Sequence, residues 1–398
     1  MESNPENHAA GFPERLIHSV RSLTIQMTIT EKVKRDLETP CLVLDLDVLE
    51  HNLQKMQAAA ARAGKDLRPH AKTHKCSALA RRQIEAGAIG VCVAKVSEAE
   101  ALVKAGIDNI LITGPVVTPG KVERLVDLVA TAPSLMVVID HPGNIALVDT
   151  ALRARGMSMD VLLDVDVGLH RTGVRPPDAL ALAGKIDSRP NLRLRGIQAY
   201  AGQVQHIHAY DMREHTSHQC LRDAVHVFRD LQATFPACTI FSASGTGTFD
   251  IDLAVPEITE LQVGSYVCMD TEYLEIEPAD KGSQEAAFEP ALRLLTTVVS
   301  TNHEGFVTVD AGLKSLYRDG GKPQVIVPAN SALAYDWFGD EYGRVTCPDP
   351  SALPRLGTVL ELVTSHCDPT VNLFDHYFLA RGESVTGTWP IDLRGCSQ

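Results

Sequence analysis

From Thr39 onward, short continuous apolar runs alternate with longer stretches of helical period. The first unit, CLVLDLDVLEHNLQKMQAAAARAG, passes from a strand into a helix that sets Leu49, Leu53, Met56 and Ala60 on one face and stops at Gly64. Eight further apolar runs predict strands at 66–72, 90–94, 109–113, 134–140, 159–166, 194–200, 238–242 and 260–265. Helices are predicted between them at 97–105, 119–131, 143–155, 177–187 and 208–234. Apolar strands without alternation belong to a parallel sheet covered on both faces. Eight such units in about 200 residues fit an α/β fold with an eight-stranded (β/α) TIM-type barrel better than an open sheet.

Beyond residue 285 the texture changes to ALRLLTTVVST, GFVTVDAGL, PQVIVPA, TVLELVTSH and HYFLARG, which predicts a C-terminal β-rich domain. The expected division is an N-terminal extension at 1–37, a barrel at 38–280 and a β domain at 281–398, with the strand near 39–46 able to pack against the latter. The extension is polar and aperiodic, so poor order is expected there, and Met27 is a candidate functional start.

Composition narrows the partners. A net charge of −13 argues against nucleic acid, which needs a basic surface. Nine cysteines are scattered singly without metal-ribbon or redox spacing, which points to reduced thiols and a cytoplasmic location. No apolar run is long enough for a membrane span, and the N-terminus lacks the layout of a secretion signal. A small-molecule substrate remains.

Barrels of this kind collect reacting groups at the C-terminal ends of their strands. Those positions hold Lys72, Lys95, Thr113, Asp166 with His170 and Arg171, Tyr200 with His206, the run Ser244-Gly245-Thr246-Gly247-Thr248, and Gly264-Ser265-Tyr266. Lys72 lies in RPHAKTHK, where two lysines and two histidines crowd eight residues; taken alone, this reads as a solvated basic loop before it reads as a reactive amine. SGTGT and GSY follow the seventh and eighth strands, where small residues let backbone N–H groups reach a phosphate. The run is not a dinucleotide fingerprint, because Asp250 stands where the third glycine belongs. A lysine after strand one and a phosphate site after strands seven and eight mark the two ends of a pyridoxal 5'-phosphate site, with Lys72 better placed than Lys75 because it closes the strand. Arg171 and Tyr200 are candidates to orient the cofactor ring. In Ser365-His366-Cys367-Asp368-Pro369-Thr370, an extended backbone turns His366 and Asp368 the same way, as two ligands of Mn²⁺, Mg²⁺, Co²⁺ or Zn²⁺; a capped turn before Pro369 is the plainer alternative.

Together these motifs resemble the fold-type III pyridoxal phosphate enzymes, and within them the D-threonine aldolase and D-serine dehydratase group, over residues 38–394. RPHAKTHK is similar to the family's Schiff-base motif, which implies the cofactor lysine at Lys72. DVGLHRTGV and IQAYAGQVQH look like its ring-contacting segments, implying cofactor roles for Arg171 and Tyr200 and a base at His206. SGTGT and VGSY resemble its phosphate loops, implying cofactor contacts from Ser244, Gly245, Thr246, Gly247, Gly264, Ser265 and Tyr266. HCDPT resembles the aldolases' metal motif, implying metal on His366 and Asp368, with Mn²⁺ foremost. The resemblance implies retro-aldol cleavage of a β-hydroxy-D-amino acid, of D-threonine or D-3-hydroxyaspartate type, to glycine and an aldehyde by a homodimer. Dehydration to a 2-oxo acid and ammonia is the nearest alternative, and a non-catalytic cofactor-binding regulator the second.

Overall fold

Eight parallel strands form a nearly closed barrel in the computed structural model, which describes residues 32–279, 288–329 and 332–398. Met27 and residues 1–31 of the expected extension lie outside the described residues. The first strand, β1 (Cys41–Asp45), is not a barrel strand. The barrel consists of β2 (Asp66–Leu67), β3 (Val91–Val93), β4 (Ile110–Ile112), β5 (Met136–Ile139), β6 (Met159–Asp164), β7 (Leu192–Ala199), β8 (Ile240–Ala243) and β9 (Glu260–Leu261), in the order β2-β9-β8-β7-β6-β5-β4-β3. The seam between β2 and β3 is joined beyond the strand ends. There His70 bridges Cys92, and the Ala71 N–H donates to the Cys92 carbonyl at 2.8 Å.

The helices follow from local sequence. In α1 (Leu46–Arg62) the Asp45 carboxylate caps the N–H groups of Asp47 and Val48, and Leu49, Leu53, Met56 and Ala60 are buried. After α2 (Ser77–Glu85) and α3 (Val96–Lys104), three helices begin on proline: α4 (Pro119–Val129), α5 (Pro142–Ala154) and α6 (Pro176–Asp187). Proline's fixed φ suits that first position, where no N–H partner is needed. The long α7 (Tyr210–Thr234) follows β7, and the short α8 (Phe249–Asp252) follows β8. Among the described residues no helix is long and apolar enough to cross a membrane.

Strand alternation divides the apolar side chains. Val91 and Val93 join the cluster packed with the helices, while Cys92, Leu111, Met136, Val138 and Leu162 form a separate cluster inside the barrel. The interior also holds a buried ion pair, Arg68 Nε to Glu260 Oε1 at 2.9 Å, both side chains 3% exposed. Arg68 satisfies Asn109 as well, so each charge taken out of water has directed partners. RPHAKTHK is therefore not a solvated loop: Arg68, His70, Thr73, His74 and Lys75 are all buried.

The second sheet contains β1 with β10 (Leu292–Ser300), β11 (Phe306–Val309), β12 (Gln324–Val327), β13 (Ala334–Trp337), β14 (Gly343–Thr346), β15 (Val359–Val363), β16 (His376–Arg381) and β17 (Ser384–Pro390). Because β11 pairs with both β14 and β10, strands β10 to β15 close into a ring. β1 joins that ring to β16, antiparallel to β10 and parallel to β16. After β17 the chain returns to the barrel mouth, where Leu393 N–H donates to the Lys75 carbonyl at 3.0 Å and Ser97 Oγ donates to the Gln398 carbonyl at 2.8 Å.

Candidate active site

A cavity of about 570 Å³ opens at the C-terminal ends of the barrel strands, and the β domain supplies part of its wall. Lys72, Arg171, Tyr200, His206, Gly245, Thr246, Gly264, Ser265, His366 and Asp368 all line it. Ser244, Gly247 and Tyr266 do not. Ser244 is 3% exposed and takes a positive φ of 76°, which turns the chain into the loop after β8. Tyr266 is turned into the core, its hydroxyl accepting from Gln83 at 3.2 Å, while its backbone N–H donates to Thr246 Oγ1 at 3.0 Å. Neither of its polar groups is free for a cofactor.

Lys72 does not close the strand as expected: β2 ends at Leu67, and Lys72 lies in the turn of residues 71–74 beyond it, its side chain 42% exposed to the cavity, with Nζ 3.6 Å from Asp368 Oδ2. The Asp368 charge raises the lysine pKa, against the opposing effect of its low-dielectric position in the barrel mouth. Lys75 is committed elsewhere: its Nζ donates to Glu98 at 2.7 Å in a buried pair. His70 holds the turn between them and the sheet, accepting the Lys72 N–H on Nδ1 at 3.3 Å and placing Nε2 3.1 Å from Thr113 Oγ1. Burial lowers the pKa of both His70 and His74, the latter to about 4, so both rings are neutral.

The loops after β8 and β9 pack closely on their neighbours. Gln205 fixes the first of them, accepting from the Gly247 N–H at 2.9 Å and donating to Thr248 Oγ1 at 3.1 Å. A methyl group at Gly247 would run into the Gln205 backbone carbonyl, and one at Gly264 would lie 2.8 Å from Thr73 Oγ1. That Thr73 hydroxyl is buried without a hydrogen-bond partner among the described residues, beside Lys72 and lining the same cavity. Gly247→Ala is therefore expected to displace the loop and weaken pyridoxal phosphate binding at least about tenfold, an effect of about 1.4 kcal/mol. Titration of the cofactor's absorbance against protein concentration checks this.

Tyr200 and Arg171 form one side of the cavity, the guanidinium 5.7 Å from the ring centroid. Beneath them Asp164 accepts from Thr172 Oγ1 at 2.8 Å and Gln198 Nε2 at 2.9 Å. Burial pushes that carboxyl up to about 6.

His206 Nε2 lies 3.8 Å from Glu272 Oε2, and its ring packs on Tyr273 at 4.6 Å between centroids. Partial burial lowers its pKa, reinforced by the nearby His366, His208 and Lys72, so the imidazole is neutral at neutral pH. Its loop is held by Arg213. This buried guanidinium donates to the carbonyls of Ile207 at 2.7 Å, His208 at 3.1 Å and Glu277 at 2.6 Å, tying the loop to the segment after α9 (Thr271–Leu274).

His366 and Asp368 do not share an extended strand. His366 is extended and is the N-cap residue of the short helix α10 (Cys367–Val371), in whose first turn Asp368 lies; Pro369 can enter that turn because it needs no N–H partner there. Both side chains still face the cavity, and Cys367 is fully buried between them in sequence. His366 Nδ1 is 2.9 Å from Asp319 Oδ2, which leaves Nε2 as the outward donor. Burial alone would lower the His366 pKa, but Asp368, Asp319 and Asp270 outweigh it and raise it, so the surroundings favour a cation. Asp368 Oδ1 is buried with no hydrogen-bond partner among the described residues. Among the described residues no group of three or more His, Cys, Asp or Glu converges on one point, so the protein offers this pair of donors. Thr73, Gln205, Arg213, Tyr273 and Asp319 were absent from the sequence reading. Only Thr73 and Gln205 had a signal there, each being next to a candidate residue.

Residues 44–272 match the family model described as alanine racemase, N-terminal domain, and residues 291–380 match a putative serine dehydratase domain. The D-threonine aldolase of Arthrobacter sp is 41% identical over 91% of this chain and 94% of its own length. The chain belongs to the D-threonine aldolase and D-serine dehydratase group of the alanine racemase-like pyridoxal phosphate enzymes. Within that group, the 3-hydroxy-D-aspartate aldolase of Paracoccus denitrificans (strain Pd 1222) is 35% identical over 90% of this chain and 93% of its own. The crystal structure of D-threonine aldolase from Filomicrobium marinum superposes with a TM-score of 0.88 at 37% identity, covering 92% of this chain and 98% of that one. Dehydratases of the group are more distant matches.

Proposed function

We propose that the chain cleaves the Cα–Cβ bond of β-hydroxy-D-amino acids, of the D-threonine or D-3-hydroxyaspartate type, to give glycine and an aldehyde. The observation that carries this reading is the convergence of a lysine amine, a neutral imidazole and a His–Asp pair on one cavity, in a chain at 35–41% identity to two aldolases.

The residues present fit pyridoxal phosphate. Lys72 would hold its aldehyde, and Thr73, Gly245, Thr246, Gly264 and Ser265 its phosphate; the unpartnered Thr73 hydroxyl and the close-packed glycines suit a bound anion. Arg171 and Tyr200 would bear on its ring. When bound, the cofactor supplies an electron sink for the pair released from the broken Cα–Cβ bond. The pair His366 Nε2 and Asp368 Oδ1 fits one divalent ion, Mn²⁺ foremost, which supplies Lewis-acid polarisation of the substrate hydroxyl.

The rest is done by side chains. His206 accepts the β-hydroxyl proton, and its lowered pKa keeps it in the accepting form below the usual imidazole value of about 6.5. Tyr273 and the Arg213 clamp set the ring's position. Asp319 fixes the His366 ring by bonding its inner nitrogen. A homodimer would give cover to apolar side chains such as Leu313, Tyr317, Phe338 and Tyr342, all at least 38% exposed on the β domain.

The test is product analysis with purified protein, pyridoxal phosphate and Mn²⁺, offered D-threonine, D-3-hydroxyaspartate and D-serine. Glycine from the first two is the expected result. Ammonia with a 2-oxo acid would replace this reading with dehydration, the second outcome that the same His–Asp pair can assist.

A further inference from the structure

The cavity carries more positive charge than the proposed cofactor contacts use. Four cationic side chains line it, Lys72, Lys95, Lys121 and Arg171, against one carboxylate side chain, Asp368. Lys72 faces Asp368 at 3.6 Å, and Arg171 lies over the Tyr200 ring. Neither the Lys95 nor the Lys121 ammonium makes an ion pair or hydrogen bond with a described residue. Other lysines of this acidic chain do find carboxylates, Lys34 with Glu361, Lys75 with Glu98 and Lys314 with Glu341.

Their placement is locally unfavourable. Lys95 is the N-cap of α3, and Lys121 sits in the first turn of α4, where the helix dipole disfavours a cation. Lys95 is exposed and Lys121 half-buried at the cavity, so both ammoniums are open to an anion from outside the chain. The two lysines follow β3 and β4, while the loops proposed for the phosphate follow β8 and β9, and β2, which leads to Lys72, lies between the two groups. The lysine wall is thus on the far side of Lys72 from the phosphate loops, beside Thr113, Gly114 and Val116.

We propose that Lys95 and Lys121 form an anion subsite that receives a carboxylate of the substrate. This rests on the reading of the cavity as an amino acid lyase site. The carboxylate has two sources, the α-carboxylate of every substrate or a carboxylate carried on the β-carbon, as in 3-hydroxy-D-aspartate.

The experiment uses holoenzyme of the parent, Lys95→Met and Lys121→Met, with Lys314→Met as a control for loss of one positive charge away from the cavity. D-Alanine and D-aspartate, which bear no β-hydroxyl to cleave, are titrated by calorimetry; KM and kcat are then measured for D-threonine and 3-hydroxy-D-aspartate. Each cavity variant is expected to weaken binding about tenfold, with KM affected more than kcat. Weakening of both titrants assigns the subsite to the α-carboxylate, and weakening of D-aspartate alone assigns it to the β-substituent. Affinities for both titrants within about twofold of Lys314→Met in both cavity variants would overturn the subsite. A parent that cleaves neither substrate overturns the aldolase reading instead, while the titrations still report on the lysines.

Discussion

Lys72→Ala is expected to remove the protein-bound absorbance band of pyridoxal phosphate and to lower turnover roughly ten-thousand-fold. The prediction depends on which amine can reach a cofactor aldehyde. Lys72 Nζ faces the cavity, whereas Lys75 Nζ is bound to Glu98 at 2.7 Å and lies 3.5 Å from the Leu393 carbonyl. Lys75→Ala leaves the Glu98 charge buried without its partner, which costs about 3–5 kcal/mol of stability, but it should leave the band in place. Spectra of the two variants separate these roles. A band that survives in Lys72→Ala and is lost in a folded Lys75→Ala would move the linkage to Lys75.

His366→Ala and Asp368→Ala are each expected to lower turnover on the order of a thousandfold and to abolish its dependence on added Mn²⁺, while sparing the cofactor band. Asp368 has two roles that the spectrum separates from the rate. It is a proposed metal donor, and its charge is the main cause of the raised Lys72 pKa. Removing it therefore lowers that pKa, which increases the unprotonated amine available to the cofactor aldehyde and preserves loading. Asp319→Ala should act more mildly, weakening metal affinity about tenfold by releasing the His366 ring. Rates measured across a Mn²⁺ titration, with chelator as the zero point, check all three. Full activity of the parent in chelator would remove the metal from the account.

The barrel was legible because β3 to β6 and β8 are short, mostly apolar runs, and because prolines mark the starts of α4, α5 and α6, whereas β2 (Asp66–Leu67) and β9 (Glu260–Leu261) are two residues each and begin on a carboxylate. The ring of β10 to β15 was not, since alternating Thr and Val report a strand but not its partner; the pairing of β10 with β15 and β1 joins residues remote in sequence. Strand-end counting placed Lys72, Arg171, Tyr200 and His206 on one rim without any contact information. It failed at Tyr266, where the chain turns into a 3-10 helix (Ser265–Val267) and the phenol goes to the core. The HCDPT motif showed which residues face the cavity but not how. A two-residue period suggested a strand, whereas a short helix starts at Cys367 and takes Pro369 into its first turn. Asp319 and Arg213 left no sequence signal, because each acts across long separations, 47 residues to His366 and 64 to Glu277.

A cavity that breaks the Cα–Cβ bond also makes it. Holoenzyme supplied with Mn²⁺, glycine and acetaldehyde, with the amino acids resolved on a chiral column, tests it in the synthetic direction. The account predicts 2-amino-3-hydroxybutanoic acid of D configuration at Cα, whose formation stops on Lys72→Ala substitution. Failure to form any β-hydroxy amino acid, or formation of the L configuration, would contradict it.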